Sequence, residues 1–205
     1  MKSGTHANPS IALAITGASG ASYGLRLLEV LLETKAHISV LVSKPARIVI
    51  ETETGLQLPE HAQDTQAMLA ERYSAQPKQL AVFDLDQWTA PVASGSSVPR
   101  SFVICPCSGA TLAAVATGAS RDLLERTADV VLKERRQLIL VPREMPLSAI
   151  HLENMLKLAR LGAVIMPASP GFYHRPKTIE DMIDFVVARI LDHLGVEYTL
   201  GPRWG

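Results

Sequence analysis

Short, nearly continuous apolar runs alternate along the chain with longer segments in which apolar positions recur every three or four residues. The short runs predict strands that are buried on both faces, at Ile11–Thr16, His37–Ser43, Gln79–Phe83, Ser101–Cys105, Gln137–Val141 and Ala163–Met166. The periodic segments predict helices, at Ala21–Thr34, Lys44–Thr54, Thr65–Ser74, Thr111–Thr117, Asp122–Glu134, Ser148–Leu161 and Ile179–Leu194.

This alternation indicates the fold class. Apolar strands separated by helices form a parallel sheet with helices on both faces, which predicts a doubly wound, Rossmann-like (flavodoxin-like) α/β fold. The 205 residues are expected to form a single domain, with residues 1–10 flexible and residues 196–205 as a C-terminal tail. Ligands of such folds bind beyond the carboxyl ends of the strands, so the loops there are the places to look for function.

Composition excludes several function classes. Lys and Arg number 20, as do Asp and Glu, so net charge argues against nucleic acid and against an anionic membrane as partners. The polar start and the absence of a long apolar run argue against a signal peptide or a membrane span, so a cytoplasmic protein is expected. Only two cysteines occur, Cys105 and Cys107, which excludes a disulfide scaffold; two apart on a strand, they are expected to point the same way.

Small, polar and cationic residues follow the predicted strands. The segments are "GASGAS" after the first strand, "SK" after the second, "CSGAT" after the fourth, "PREMP" after the fifth and "PASPGFYHRP" after the sixth. Asp84–Arg100 is the longest predicted irregular segment, and irregular loops of that length are usually functional or disordered.

The first turn places Gly17, Gly20 and Gly24 in the spacing G-x-x-G-x-x-x-G, which matches neither the dinucleotide nor the Walker motif. It shares their mechanism, since glycines allow close backbone approach and a helix start offers N–H groups to an anion. A tight turn without a ligand fits the same pattern. The second strand ends in Ser43 and Lys44, without the acidic residue that binds the ribose of NAD, which favours a mononucleotide phosphate and leaves NADP open.

Other candidate residues have two interpretations each. Arg143 and Glu144 stand between two prolines and form either a structural ion pair or a phosphate ligand beside an acid–base group. Arg189 lies in an otherwise apolar helix face, which is more typical of a snorkelling side chain than of a ligand-binding residue. Cys107 is either a nucleophile or a small buried residue.

No metal site is predicted. His151 and Glu153 are two apart on a predicted helix and so face different directions. A second histidine at the helical spacing that a metal site needs does not occur beside them.

Three blocks together resemble the UbiX-type flavin prenyltransferases, formerly described as aromatic-acid decarboxylases. They are "TGASGASYGLRLLE", "CPCSGATLAAVATGASRDLLERTADVVLKERRQLILVPRE" and "HLENMLKLARLGAVIMPASPGFYHRP", followed by the helix "DFVVARILDHLG". The resemblance implies a single flavoprotein domain that joins a dimethylallyl group from dimethylallyl phosphate to N5 and C6 of reduced FMN. The prenylated FMN would serve a UbiD-type decarboxylase, often in ubiquinone biosynthesis, and the enzyme would be a large homo-oligomer, a dodecamer in the family.

The resemblance also implies site residues, and no metal is required. FMN would be bound by Gly17, Ala18, Ser19, Ser43, Ser108, Gly109, Ala110, Thr111 and Arg143. Dimethylallyl phosphate would be bound by Arg126, Lys133, Tyr173 and Arg189. The implied catalytic residues are Ser19, Trp88, Lys133 and Glu144. Where many members read "CPCSTGT", this chain reads "CPCSGAT", which removes one hydroxyl and shifts a glycine.

Two other functions fit an FMN-binding chain. One is an FMN-dependent decarboxylase of a cysteine-containing substrate, which would leave the "PREMP" and "GFYHRP" loops unexplained. The other is a non-catalytic FMN-binding protein, in which Glu144 and Lys133 would be dispensable.

Overall fold

A six-stranded parallel sheet is the centre of the molecule in the computed structural model, which describes residues 10–201. The strands are β1 (Ser10–Ile15), β2 (His37–Val42), β3 (Leu80–Phe83), β4 (Ser101–Cys107), β5 (Gln137–Pro142) and β6 (Val164–Ile165). Their order across the sheet is β3-β2-β1-β4-β5-β6. The order reverses between β1 and β4, where doubly wound folds place their ligand crevice. The predicted flexible start, apart from Ser10, and residues 202–205 of the predicted tail lie outside the described residues.

Seven helices cover the sheet in the described part of the chain. They are α1 (Ala21–Leu32), α2 (Lys44–Thr54), α3 (Ala62–Arg72), α4 (Gly109–Thr117), α5 (Leu123–Lys133), α6 (Ala149–Arg160) and α7 (Ile179–Leu194), with a short 3₁₀ helix at Pro91–Ala93. Five helix starts are capped by a hydroxyl or carboxylate that accepts a backbone N–H, namely those at Ser43, Ser108, Asp122, Ser148 and Thr178. These local signals explain why the predicted and observed elements coincide closely.

α3 is the largest difference in element boundaries. It begins at Ala62, three residues before the predicted start at Thr65. The backbone N–H of Ala62 donates to the Asp84 carboxylate at 3.1 Å, so a residue far along the chain satisfies this helix start. A cap supplied by tertiary structure leaves no local pattern to recognise.

Two apolar cores lie on opposite faces of the sheet. One packs α1, α2, α3 and α7 against residues such as Leu13, Val40 and Val103. The other packs α4, α5 and α6 against residues such as Phe102 and Leu140. The predicted doubly wound architecture with helices on both faces is therefore confirmed. No helix in residues 10–201 combines the length and the apolar character of a bilayer span.

The two cysteines correct one expectation. Both are buried free thiols, but Cys105 belongs to the first core and Cys107 to the second. The register of β4 against β5 shifts between Ile104 and Cys107, so the alternation of faces is interrupted there. The expectation that the two side chains point the same way, which assumed a regular strand, is wrong.

Gly24 allows α1 to lie directly on β4. A Cβ at this position would overlap the carbonyl oxygen of Cys105 and touch the Ile15 side chain. We expect Gly24→Ala to lower the free energy of unfolding by about 2 kcal/mol or more, because overpacking forces backbone to move.

Gly55→Ala is the matched control, measured by the same denaturant titration. Gly55 has open space around it and a φ of 72°, so only the left-handed backbone conformation should add a cost, about 1 kcal/mol. An equal loss in both variants would contradict the proposed steric contact at Gly24.

Candidate functional site

The turns after β1 and β2 are in contact at the carboxyl edge of the sheet. A Cβ at Gly17 would overlap the Pro45 side chain, so glycine is needed there for packing alone. Ser43 begins α2, and its hydroxyl oxygen accepts the N–H of Ala46 at 3.2 Å. The Ser43 hydroxyl hydrogen is still available to donate to a ligand.

Thr16 joins the end of β1 to the end of β4. Its hydroxyl donates to the carbonyl of Pro106 at 2.8 Å and accepts the N–H of Ser108, also at 2.8 Å. Ser108 then caps α4, its hydroxyl lying 3.3 Å from the N–H of Thr111 and 3.0 Å from the Thr111 hydroxyl. The first N–H groups of α4 have no partner within the helix, which makes this helix start suited to a phosphate.

The start of α1 already binds a carboxylate. The N–H of Gly20 donates to Glu53 Oε2 at 2.9 Å, and the N–H of Ala21 donates to the same oxygen at 2.8 Å. A phosphate at this turn would therefore have to displace Glu53, so Gly17, Ala18 and Ser19 are better suited to line a flavin than to bind its phosphate.

Sequence reasoning missed Glu53. It lies on α2, 32 residues from Ala21, and no motif links the two positions. The one indirect signal is that Gly20, the residue before α1, provides no side-chain cap and that the first turn of α1 has no acidic residue. A helix start of that kind needs a partner from elsewhere in the fold.

The loop after β5 reaches the first turn through Arg143. The Arg143 Nε–H donates to the carbonyl of Ser19 at 3.1 Å, so the guanidinium lies at the turn that the family resemblance assigns to FMN. Glu144 is exposed, and its Oε1 accepts the N–H of Met145 at 3.2 Å. None of the ion pairs in residues 10–201 joins Arg143 to Glu144, so the structural ion-pair interpretation has no support.

Tyr173 and Arg189 share a cavity of about 770 Å³ between α7 and the loop before it. Arg189 is exposed and ion-paired with Asp192 at 2.6 Å, one turn further along the helix. An exposed guanidinium is compatible both with a snorkelling side chain and with a ligand-binding one, so the two interpretations of Arg189 stay open.

Arg126 and Lys133 lie on α5. Arg126 pairs with Asp129 at 2.9 Å, and Lys133 pairs with its neighbour Glu134. Lys133 comes just before β5 and Glu144 just after it, and a six-residue strand spans about 20 Å. Within one copy of the chain, Lys133 is therefore distant from the edge of the sheet that carries Glu144.

Trp88 lies in the long segment 84–100, which has an ordered fold in the structure. Ala90 and Val92 are buried, and the N–H of Leu123 donates to the carbonyl of Leu85 at 2.8 Å. Trp88 itself is 49 % exposed, so its ring is accessible to a ligand or another subunit.

Cys107 does not have the character of a nucleophile. Complete burial raises the pKa of its thiol to about 12, so the thiolate is scarce at neutral pH. The interpretation as a small buried residue agrees with this. Within residues 10–201, no three His, Cys, Asp or Glu side chains are grouped as metal ligands would be.

Comparisons with known proteins identify the family of this chain. The family model Flavoprotein matches residues 1–191. The flavin prenyltransferase UbiX of Pseudomonas aeruginosa is 59 % identical over 195 residues, covering 95 % of this chain and 93 % of that protein.

Two solved structures have the same fold. The dodecameric FMN-dependent UbiX-like decarboxylase from Escherichia coli O157:H7 has a TM-score of 0.85 at 40 % identity, covering 96 % of this chain and 99 % of that one. AnUbiX (PadA1), in complex with FMN and dimethylallyl pyrophosphate, has a TM-score of 0.83 at 39 % identity, covering 97 % and 100 %. With its polar turns gathered at one edge of the sheet and this similarity along nearly its whole length, the chain belongs to the flavoprotein family and, within it, to the UbiX-type flavin prenyltransferases.

Proposed function

We propose that this protein joins the dimethylallyl group of dimethylallyl phosphate to N5 and C6 of reduced FMN, and that a UbiD-type decarboxylase receives the prenylated FMN. The observation that carries this is the convergence of four polar turns, after β1, β2, β4 and β5, at one edge of the sheet. Thr16 and Arg143 bridge these turns directly. The relative AnUbiX binds both FMN and a dimethylallyl donor. The predicted cytoplasmic location stays a prediction.

FMN fits the residues at this edge. The open start of α4, the Ser43 hydroxyl and the Arg143 guanidinium supply donors for a phosphate and for flavin carbonyl groups. The turn Gly17–Ser19 would lie along the flavin, with Ser19 nearest the reacting edge. When bound, reduced FMN supplies the nucleophilic N5 and C6 atoms.

The donor needs cations that stabilise the departing phosphate and an environment that stabilises the allyl cation. Arg126, Lys133, Arg189 and the Tyr173 phenol would bind the phosphate, and the face of Trp88 would stabilise the allyl cation. Glu144 would carry protons, to the departing phosphate and from C6 as the new ring closes.

Lys133 can join this group only from a second copy of the chain, because β5 separates it from Glu144 within one copy. Apolar side chains project from α6 and the loop before it, with Met145 86 % and Ile150 68 % exposed. Exposed apolar patches of this kind mark interaction surfaces. We therefore propose a closed homo-oligomer with shared active sites, a dodecamer like the relative from Escherichia coli.

The first test is anaerobic incubation with reduced FMN and dimethylallyl phosphate, then mass spectrometry of the released flavin. A flavin with one added dimethylallyl unit supports the transferase, and a parallel reaction with the pyrophosphate identifies the donor. Recovery of unmodified FMN from both reactions would contradict the proposal and favour the decarboxylase or the non-catalytic FMN-binding protein.

We expect Glu144→Gln to lower turnover by about 100-fold or more, because positioned proton carriers contribute at least that much. The readout is the rate at which prenylated flavin appears. Glu71→Gln, at an exposed glutamate on α3 and away from the proposed subunit contact, is the control and should keep the parental rate. Undiminished turnover in the Glu144 variant would remove its proton role.

Shared sites can be tested by mixing two inactive variants. Lys133→Met and Glu144→Gln should each be inactive alone. After dissociation and reassembly at equal amounts, about a quarter of the sites in a random closed oligomer would combine both native residues. Recovered prenylation near that fraction supports the two-copy site, whereas a mixture as inactive as its components contradicts it.

A further inference from the structure

His151 is a side chain that neither a metal site nor the proposed flavin contacts use. It is the third residue of α6 and forms a capping box with Ser148. The Ser148 hydroxyl accepts the N–H of His151, and the Ser148 N–H donates to His151 Nδ1, each at 3.3 Å. Because Nδ1 accepts a hydrogen bond, the proton of the neutral ring resides on Nε2.

The Nε2 atom faces the start of α4 beside Glu144. A Cβ on Gly109 would lie 3.0 Å from His151 Nε2 and 3.8 Å from Glu144 Oε2. Both side chains therefore approach the same point above the first residue of α4. Glu144 Oε1 already accepts the Met145 N–H, which leaves Oε2 for a second donor.

We propose that His151 is a positioning residue for Glu144, donating its Nε2–H to Oε2 and holding the carboxylate over the start of α4. This rests on the proposed role of Glu144 as a proton carrier. Hydrogen bonds in active sites often tighten only in the substrate complex, and both groups already lie beside Gly109. A donor at Oε2 favours the charged carboxylate and restricts its rotamers, which keeps Glu144 ready to accept the proton released at C6.

The cap alone does not require an imidazole. The capping box of α7 has the same geometry with an aspartate, where the Thr178 N–H donates to Asp181 Oδ2 at 3.1 Å. A δ-position acceptor is thus enough for this motif in the same protein. The Nε2–H of His151 is the part of the side chain that the cap leaves unused.

Because the cap uses Nδ1 and the proposed contact uses Nε2, two variants can distinguish these two roles. His151→Asn keeps an acceptor in place of Nδ1 and removes the donor, whereas His151→Gln carries an amide nitrogen as many bonds from Cβ as Nε2. Since hydrogen bonds to charged groups are among the stronger ones, we expect His151→Asn to lower kcat about tenfold. The melting temperature and the dissociation constant for FMN should stay unchanged. His151→Gln should recover most of the lost rate.

The pH profile provides a readout that a structural role would not affect. A hydrogen bond to a carboxylate favours its charged form, and His151→Asn removes that donor. The acid limb of the rate profile should therefore move upward in His151→Asn. His37→Asn, at the start of β2 on the opposite edge of the sheet, is the control and should leave the profile unchanged.

A double-mutant cycle with Glu144→Gln tests whether His151 acts through Glu144. If it does, His151→Asn causes no further loss once Glu144 is replaced. Parental kcat and pH profile in His151→Asn, or full multiplication of the two losses, would overturn the inference. Failure of the proposed function looks different, because the unaltered protein would then form no prenylated flavin.

Discussion

The buried hydroxyl of Thr16 is the interaction on which the geometry of the site depends. It lies where the strand order reverses, and by donating to one residue of the β4 turn and accepting from another it joins the ends of β1 and β4. A hydroxyl is suited to this because it donates and accepts at once. The turns that follow those two strands are thereby held at one edge, where Ser108 begins α4 and Arg143 reaches across to Ser19.

The two helix starts at this edge of the sheet differ in whether they already bind a negative charge. The chain as a whole is neutral, but the start of α1 binds the Glu53 carboxylate while the start of α4 remains suited to an anion. The two helix starts look alike in sequence but therefore differ in what they can bind. The first is occupied by Glu53, which leaves the second better suited to a phosphate.

The proposal that function depends on assembly rests on the distribution of cations. Tyr173 and Arg189 share a cavity along α7, while Lys133 lies just before the start of β5. Within one copy of the chain, the length of β5 keeps Lys133 apart from the residues at the other edge of the sheet. Assembly of several copies removes that limit, and the apolar surface of α6 next to the Glu144 loop provides a place for contact.

The sequence by itself determined the strands, the helices, the fold class and the polar loops at the carboxyl edge of the sheet, since apolar periodicity and helix caps act over a few residues. It also marked the candidate residues, partly through family resemblance. Only the tertiary structure decided that Glu53 occupies the first helix start, that Asp84 accepts the first N–H of α3, that Cys105 and Cys107 face opposite cores, and that His151 and Glu144 both lie beside Gly109. Each of these depends on side chains or strands brought together from distant positions, or on a local break in strand register. Apolar periodicity along the sequence does not predict such contacts, because these residues come close to one another only after the sheet has formed.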